Sequence, residues 1–163
     1  MKIIKQFLII LFLVFLIIFY HFIKMDTHVS EANFVSCVDG DTAIFEIEGK
    51  QERVRFLAID ALEINEEYGK EASNYVCNAL NKASRITFEF EEGSYKDKYN
   101  RVLAWVFVDD KLIQEDLVSK GFAQVKYLYD DYKYVEQLFD LQEKAKSEKI
   151  GLWGDQNERE NDS

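Results

Sequence analysis

The order of elements along the chain predicts an α+β fold: three strands, a helix, two more strands, then further helices. Three observations carry it. Residues 33–38, 42–47 and 54–59 are short apolar or alternating runs separated by Asp39-Gly40-Asp41 and Gly49-Lys50, which are turn signals, so they read as a three-stranded meander. Ala72, Tyr75, Val76, Ala79, Leu80 and Ala83 recur at spacings of three and four, which predicts a helix over residues 68–83 packed through one face. Residues 85–90 alternate and residues 102–108 are apolar at almost every position, giving a fourth and a fifth strand. Five short strands with a helix between the third and the fourth is the order of an oligonucleotide-binding (OB-fold) β-barrel, here with about three helices.

The remaining elements follow in order. Asp109-Asp110 turns the fifth strand, and residues 112–120 form a short helix stopped by Gly121. Residues 125–129 are extended or irregular. Residues 132–149 are a long amphipathic helix with Val135, Leu138, Phe139, Leu141 and Ala145 inward, and Ile150-Gly151-Leu152-Trp153 closes a domain spanning residues 33–154. Residues 155–163 are an acidic tail with too few apolar side chains to bury, expected to be disordered. The chain has no proline, so its turns rest on Gly, Asn and Asp.

Ahead of the domain, residues 7–23 are an almost unbroken apolar run, with Lys2 and Lys5 before it and Lys24 after it. Seventeen helical residues would span about 26 Å, a little short of a bilayer core of about 30 Å. Tyr20 and His21 suit the interface and Lys24 can snorkel. The run exceeds the core of an ordinary signal peptide and no good small-x-small site follows it. Residues 1–24 are therefore expected to be an uncleaved transmembrane anchor, with a cleaved signal as the alternative, and residues 25–32 a polar tether. The basic N-terminal flank favours a domain outside the cytoplasm, membrane-anchored or, if cleaved, secreted.

Residues 25–163 hold all 30 acidic residues and 17 of the 20 basic ones, a net charge of −13. Such a balance is unusual for a chain that handles nucleic acid. Charges beyond about 10 Å are largely screened at 0.1 M salt, so a few cations can still govern one cleft. His21 and His28 are the only histidines, which excludes a histidine-rich zinc site. Cys37 and Cys77 are either one disulfide or two buried thiols, and spacing does not decide between them.

The chemistry concentrates where the third strand ends. Arg55 lies in that strand; Asp60 and Glu63 follow it; Asp41 sits just past the Asp-Gly turn. Carboxylates are hard oxygen donors, and calcium takes about 6–8 such ligands from carboxylates, carbonyls and water. A guanidinium suits a phosphate. Each residue also has a plainer reading: Asp41 as a turn cap, Arg55 and Arg101 as partners in surface ion pairs. Strict alternation puts Arg55 and Asp60 on opposite faces of a strand, so they share a site only if Asp60 has left it or a bulge intervenes.

Val38-Asp39-Gly40-Asp41-Thr42, Arg55 with Asp60-Ala61-Leu62-Glu63, Tyr68-Gly69-Lys70-Glu71-Ala72, Asp97-Lys98-Tyr99-Asn100-Arg101-Val102-Leu103-Ala104, Tyr127-Leu128-Tyr129 and Gly151-Leu152-Trp153 occur in an order and spacing that resembles the staphylococcal nuclease (thermonuclease) family, over residues 33–155. The resemblance implies a calcium-dependent phosphodiesterase, an endonuclease hydrolysing DNA and RNA with little sequence preference. It implies that Asp41, Asp60 and the carbonyl of Ala61 bind Ca2+. Arg55 and Arg101 would bind the phosphate, Glu63 would act on the attacking water, and Lys98, Tyr99, Tyr127 and Tyr129 would contact the substrate. Two positions depart from the family pattern: Leu62 stands where the family has proline, which leaves Glu63 less firmly held, and the loop at residues 64–67 is short and acidic rather than long and basic. The partners implied are DNA and RNA, with the membrane through the N-terminal helix; no protein partner is indicated and a monomer is expected. The alternatives are a non-catalytic nucleic-acid-binding OB-fold module at the cell surface, and a cell-surface interaction protein whose acidic face binds a basic partner.

Overall fold

In the computed structural model, which describes residues 10–17, 19, 29–93 and 95–154, the meander forms as the alternating runs require. Strands β2 (Asn33–Cys37), β3 (Thr42–Ile47) and β4 (Lys50–Phe56) pair antiparallel in sequence order. Strand β7 (Val102–Val108) lies parallel to β4 and antiparallel to β6 (Ile86–Glu89). A short strand β1 (Val29–Glu31) pairs with the other side of β6. The sheet therefore runs β1-β6-β7-β4-β3-β2, and its two ends are consecutive in the chain, joined through Ala32. The Ala32 N–H donates to the Ile86 carbonyl at 3.1 Å, so one stretch of chain seals a barrel, leaving no open edge at that seam. Residues 29–31, expected in the tether, thus belong to the domain.

The third strand differs from expectation. It stops at Phe56, because Ala58 takes a left-handed conformation (φ 61°) and turns the chain into β5 (Ile59–Ala61). Strand β5 leaves the barrel and pairs with β9 (Ala123–Val125) as a separate two-stranded ribbon. A further short strand, β8 (Lys111–Leu112), adds to β7.

Helix α1 (Gly69–Lys82) buries Ala72, Val76 and Leu80, the centre of the predicted stripe. A disulfide between Cys37 and Cys77 ties it to β2. Helix α2 (Ile113–Ser119) follows β8 and buries Gln114, whose amide accepts the Val106 N–H and donates to the Ala104 carbonyl, clamping the middle of β7. Helix α3 (Val135–Ser147) packs through Leu138 and Ala145 with Val135 and Leu141 beside them, but Phe139 is exposed. The position turned inward is Gln142, which is affordable there because its side-chain oxygen accepts the Val125 N–H at 2.7 Å. A 3-10 turn at Gly151–Trp153 ends the described domain. The core between these layers is aromatic and aliphatic, with Phe45, Phe56, Phe88 and Trp105 fully buried.

Residues 10–17 and 19 are helical, and every apolar side chain in that set is exposed. Among the described residues no helix is long and apolar enough to cross a membrane. The rest of the expected anchor, and the tail at residues 155–163, lie outside the described residues.

Candidate active site

The site is built at the place where β4 gives way to β5. The turn at Ala58 resets the alternation of the chain, and this is what lets Arg55 and Asp60 face the same space. Arg55 is 8 % exposed and is anchored by its own strand: its Nη1 donates to the Phe56 carbonyl at 3.0 Å. Its Nη2 contacts Asp41 Oδ2 at 3.1 Å and Asp60 Oδ1 at 3.5 Å. One buried guanidinium thus gathers two carboxylates from opposite sides of a turn.

Asp41 is placed by three bonds. Its backbone N–H donates to Asp39 Oδ1, the Thr42 hydroxyl donates to its Oδ1 at 3.0 Å, and the Ala61 N–H donates to its Oδ2 at 2.8 Å. Gly40 permits this approach of the turn to β5, since a Cβ there would sit 2.8 Å from the Ala61 Cβ. Burial pushes the Asp41 carboxyl up to about 6, and the lowering effects of Arg55 and of the Ala61 N–H do not cancel it. Asp60 is half-buried and its second oxygen, Oδ2, accepts from Lys126 Nζ at 2.8 Å. The Asp60 carboxylate in turn raises the Lys126 ammonium above its ordinary value.

Glu63 is exposed at the mouth of this space, and its loop is held from three directions. The Leu62 N–H donates to the Phe122 carbonyl at 3.0 Å, extending the β5–β9 ladder by one rung. The Glu63 N–H donates to Glu66 Oε2 at 2.6 Å, and the Glu66 N–H returns to the Glu63 carbonyl at 2.8 Å. The Glu63 carbonyl also lies against Gly69 so closely that any side chain there would overlap it. The rung made by Leu62 is one a proline could not make. The looseness expected at Glu63 is therefore countered by these hydrogen bonds.

Arg101 reaches the space from the opposite wall. Asp97 holds it, accepting from its Nε at 2.8 Å and from its backbone N–H at 2.9 Å, and these bonds lower the Asp97 pKa against the effect of burial. Arg101 and Lys98 both lie over the Tyr99 ring, 5.4 and 5.0 Å from its centre, and Arg55 lies 5.6 Å from the centre of Tyr127. Tyr99 and Tyr129 are largely exposed.

A cleft of about 820 Å³ connects these groups. Asp41, Arg55, Asp60, Glu63, Lys98, Tyr99, Arg101, Tyr127 and Tyr129 all line it; of the predicted site residues only Ala61 does not, and its N–H donates to Asp41 Oδ2. The walls carry five acidic and four basic side chains, so the cleft is close to neutral within a strongly acidic protein. Three neighbours escaped the sequence reading: Asp97, which orients Arg101; Asp39, which caps the turn before Asp41; and Lys126. The i to i+4 spacing of Asp97 and Arg101 was a usable signal for the first.

Two hard carboxylates converging on one guanidinium, one of them buried with its ionised form disfavoured, fit a divalent cation that would supply the missing positive charge. Among the described residues no three His, Cys, Asp or Glu side chains cluster at metal-binding spacing, so carbonyls, water and substrate oxygens would complete such a shell.

The profile described as staphylococcal nuclease homologue matches residues 53–155. The chain is 38% identical over 123 residues to the SPbeta prophage-derived endonuclease YokF of Bacillus subtilis, covering 71% of this chain and 41% of that protein. It is 37% identical over 123 residues to endonuclease YncB of the same organism, covering 71% of this chain and 58% of that one. It is 32% identical over 126 residues to the thermonuclease of Staphylococcus hyicus, covering 73% of each. The matched part thus spans about half the length of the two Bacillus proteins. On this agreement of profile and relatives, the chain belongs to the staphylococcal nuclease family.

Proposed function

We propose that the protein is a calcium-dependent endonuclease that hydrolyses DNA and RNA with little sequence preference. The observation that carries this reading is the shared Nη2 of Arg55, which brings Asp41 and Asp60 together on the wall of a cleft that also holds Glu63 and Arg101. Asp41 and Asp60 would hold Ca2+, which supplies positive charge beside the phosphodiester and polarises its oxygens. The two guanidiniums, each fixed by its own partner, stabilise the charge that gathers on the equatorial oxygens as water attacks phosphorus. Glu63, free to face the cleft, orients that water and accepts its proton, while the phosphorus–oxygen ester bond breaks and the leaving oxygen takes a proton from solvent water. Tyr99, Tyr127 and Tyr129 offer exposed rings on which bases stack at about 1–3 kcal/mol each with little regard to sequence.

The same reading extends to location. The exposed apolar residues 10–17 and 19 have no core to enter, which supports a membrane anchor through residues 1–24. The Cys37–Cys77 disulfide supports a domain outside the cytoplasm.

The test is digestion of denatured DNA and of RNA by the full chain, in calcium and in chelator. Cleavage is expected in calcium only. Arg55→Ala and Glu63→Ala should each lower it by orders of magnitude while far-UV circular dichroism stays unchanged. Cleavage that is indifferent to chelator and to Glu63→Ala overturns the reading; binding of nucleic acid with no cleavage under any condition favours the non-catalytic module.

A further inference from the structure

The position next to Asp60 is filled by a cation that the proposed chemistry does not use. Lys126 Nζ lies 2.8 Å from Asp60 Oδ2, closer than the 3.5 Å contact of Arg55 with Oδ1. Together the two cations occupy both oxygens of the carboxylate. They differ in freedom. Arg55 is buried and bonded to the Phe56 carbonyl, so it cannot withdraw. Lys126 has only its main chain fixed, by the N–H it donates to the Ala58 carbonyl at 2.9 Å, just beyond the β5–β9 ladder. Its side chain is half-exposed, lying 5.2 Å from the centre of the Tyr127 ring, and a four-carbon stem reaches water by simple rotation.

We propose that Lys126 is a built-in counter-ion for Asp60, so that a divalent cation enters this site by exchange: the ammonium leaves Oδ2 as the metal arrives. The inference rests on the reading of Asp41 and Asp60 as metal ligands. Its physical content is that part of the attraction between metal and Asp60 is spent on breaking an existing ion pair, which weakens metal binding and makes it depend on ionic strength. The freed ammonium stays on the rim of the cleft, where its charge adds to that of the metal.

The experiment is direct titration of the full chain with calcium, followed calorimetrically, with no nucleic acid present. Lys126→Met keeps the apolar stem and removes the charge. It is expected to bind calcium roughly two- to fivefold more tightly than the wild type at low salt, the range set by removal of an exposed ion pair. The gain should shrink as salt rises, and Lys126→Arg, which preserves the charge, should stay near the wild type. Unchanged or weaker binding by Lys126→Met overturns the exchange. Asp60→Asn separates the two levels: if the wild type binds no calcium, or binds it equally well with Asp60→Asn, it is the metal assignment itself that fails and the exchange falls with it.

Discussion

The Ala61 N–H donates to Asp41 Oδ2 at 2.8 Å, spanning twenty positions of chain to fasten the turn before β3 onto the strand that carries Asp60. The bond depends on close backbone approach, and Gly40 is what allows it. Gly40→Ala places a methyl 2.8 Å from the Ala61 Cβ. The expected cost is about 1–3 kcal/mol in chemical denaturation. Calcium affinity should fall as well, because the two aspartates are pushed apart.

The titration of Asp41 gives a pH signature. In the fold its carboxyl is pushed up to about 6 from an ordinary 3.8. The native state therefore holds the proton more tightly than the unfolded chain, and stability is lost as pH rises from about 4 to about 6. At pH 7.5 the loss is complete. Asp41→Asn should then raise the stability of the metal-free protein by on the order of 1 kcal/mol, with no gain left at pH 4. Urea denaturation in chelator at the two pH values reads this directly. Calcium binding by the wild type should weaken below pH 6, where the proton competes for the ligand.

Leu62 makes a rung that a proline at this position could not. Leu62→Pro removes the bond from its N–H to the Phe122 carbonyl, and about 1 kcal/mol of stability should go with it. Proline at position 62 is therefore expected to lower thermal stability. Gly69→Ala drives a methyl into the Glu63 carbonyl and should shift that loop. A displacement near 1 Å at Glu63 would reduce the cleavage rate by about a hundredfold, measurable in steady-state digestion.

The Cys37–Cys77 disulfide closes a loop that contains Asp41, Arg55, Asp60 and Glu63. Breaking it, by reductant or by replacing both cysteines with alanine, should cost about 2–4 kcal/mol. Thermal unfolding with and without dithiothreitol measures this, and activity at moderate temperature should fall in step with the unfolded fraction.

Much of this was legible in the chain. Alternation gave β3 and β6, an almost unbroken apolar run gave β7, and the stripe from Ala72 to Leu80 gave α1, because in each case the burial pattern follows from backbone period and depth in the core. The failures share one cause: tertiary partners override local pattern. Ala58 carries no mark of a left-handed turn, so the strand expected over residues 54–59 ends three residues early, at Phe56. Gln142 is buried, where its oxygen accepts a distant N–H, while Phe139 lies exposed, and neither follows from the apolar stripe alone. The pairing of Cys37 with Cys77 was undecidable from spacing, since it depends on how α1 lies on β2. At the site, the motifs supplied nine of the cleft residues, whereas Lys126 stands in a run of tyrosines with nothing to mark its reach to Asp60.

The seam of the barrel has a practical consequence for shortened forms of the protein. Because Val29–Glu31 covers the outer side of β6, a version starting at Asn33 would leave that side of residues 86–89 with unpaired amides and carbonyls. Such an edge recruits strands from other molecules, so that truncation should self-associate or precipitate. Soluble preparations should begin upstream of Val29, and any cut that separates the domain from its N-terminal segment belongs before that residue.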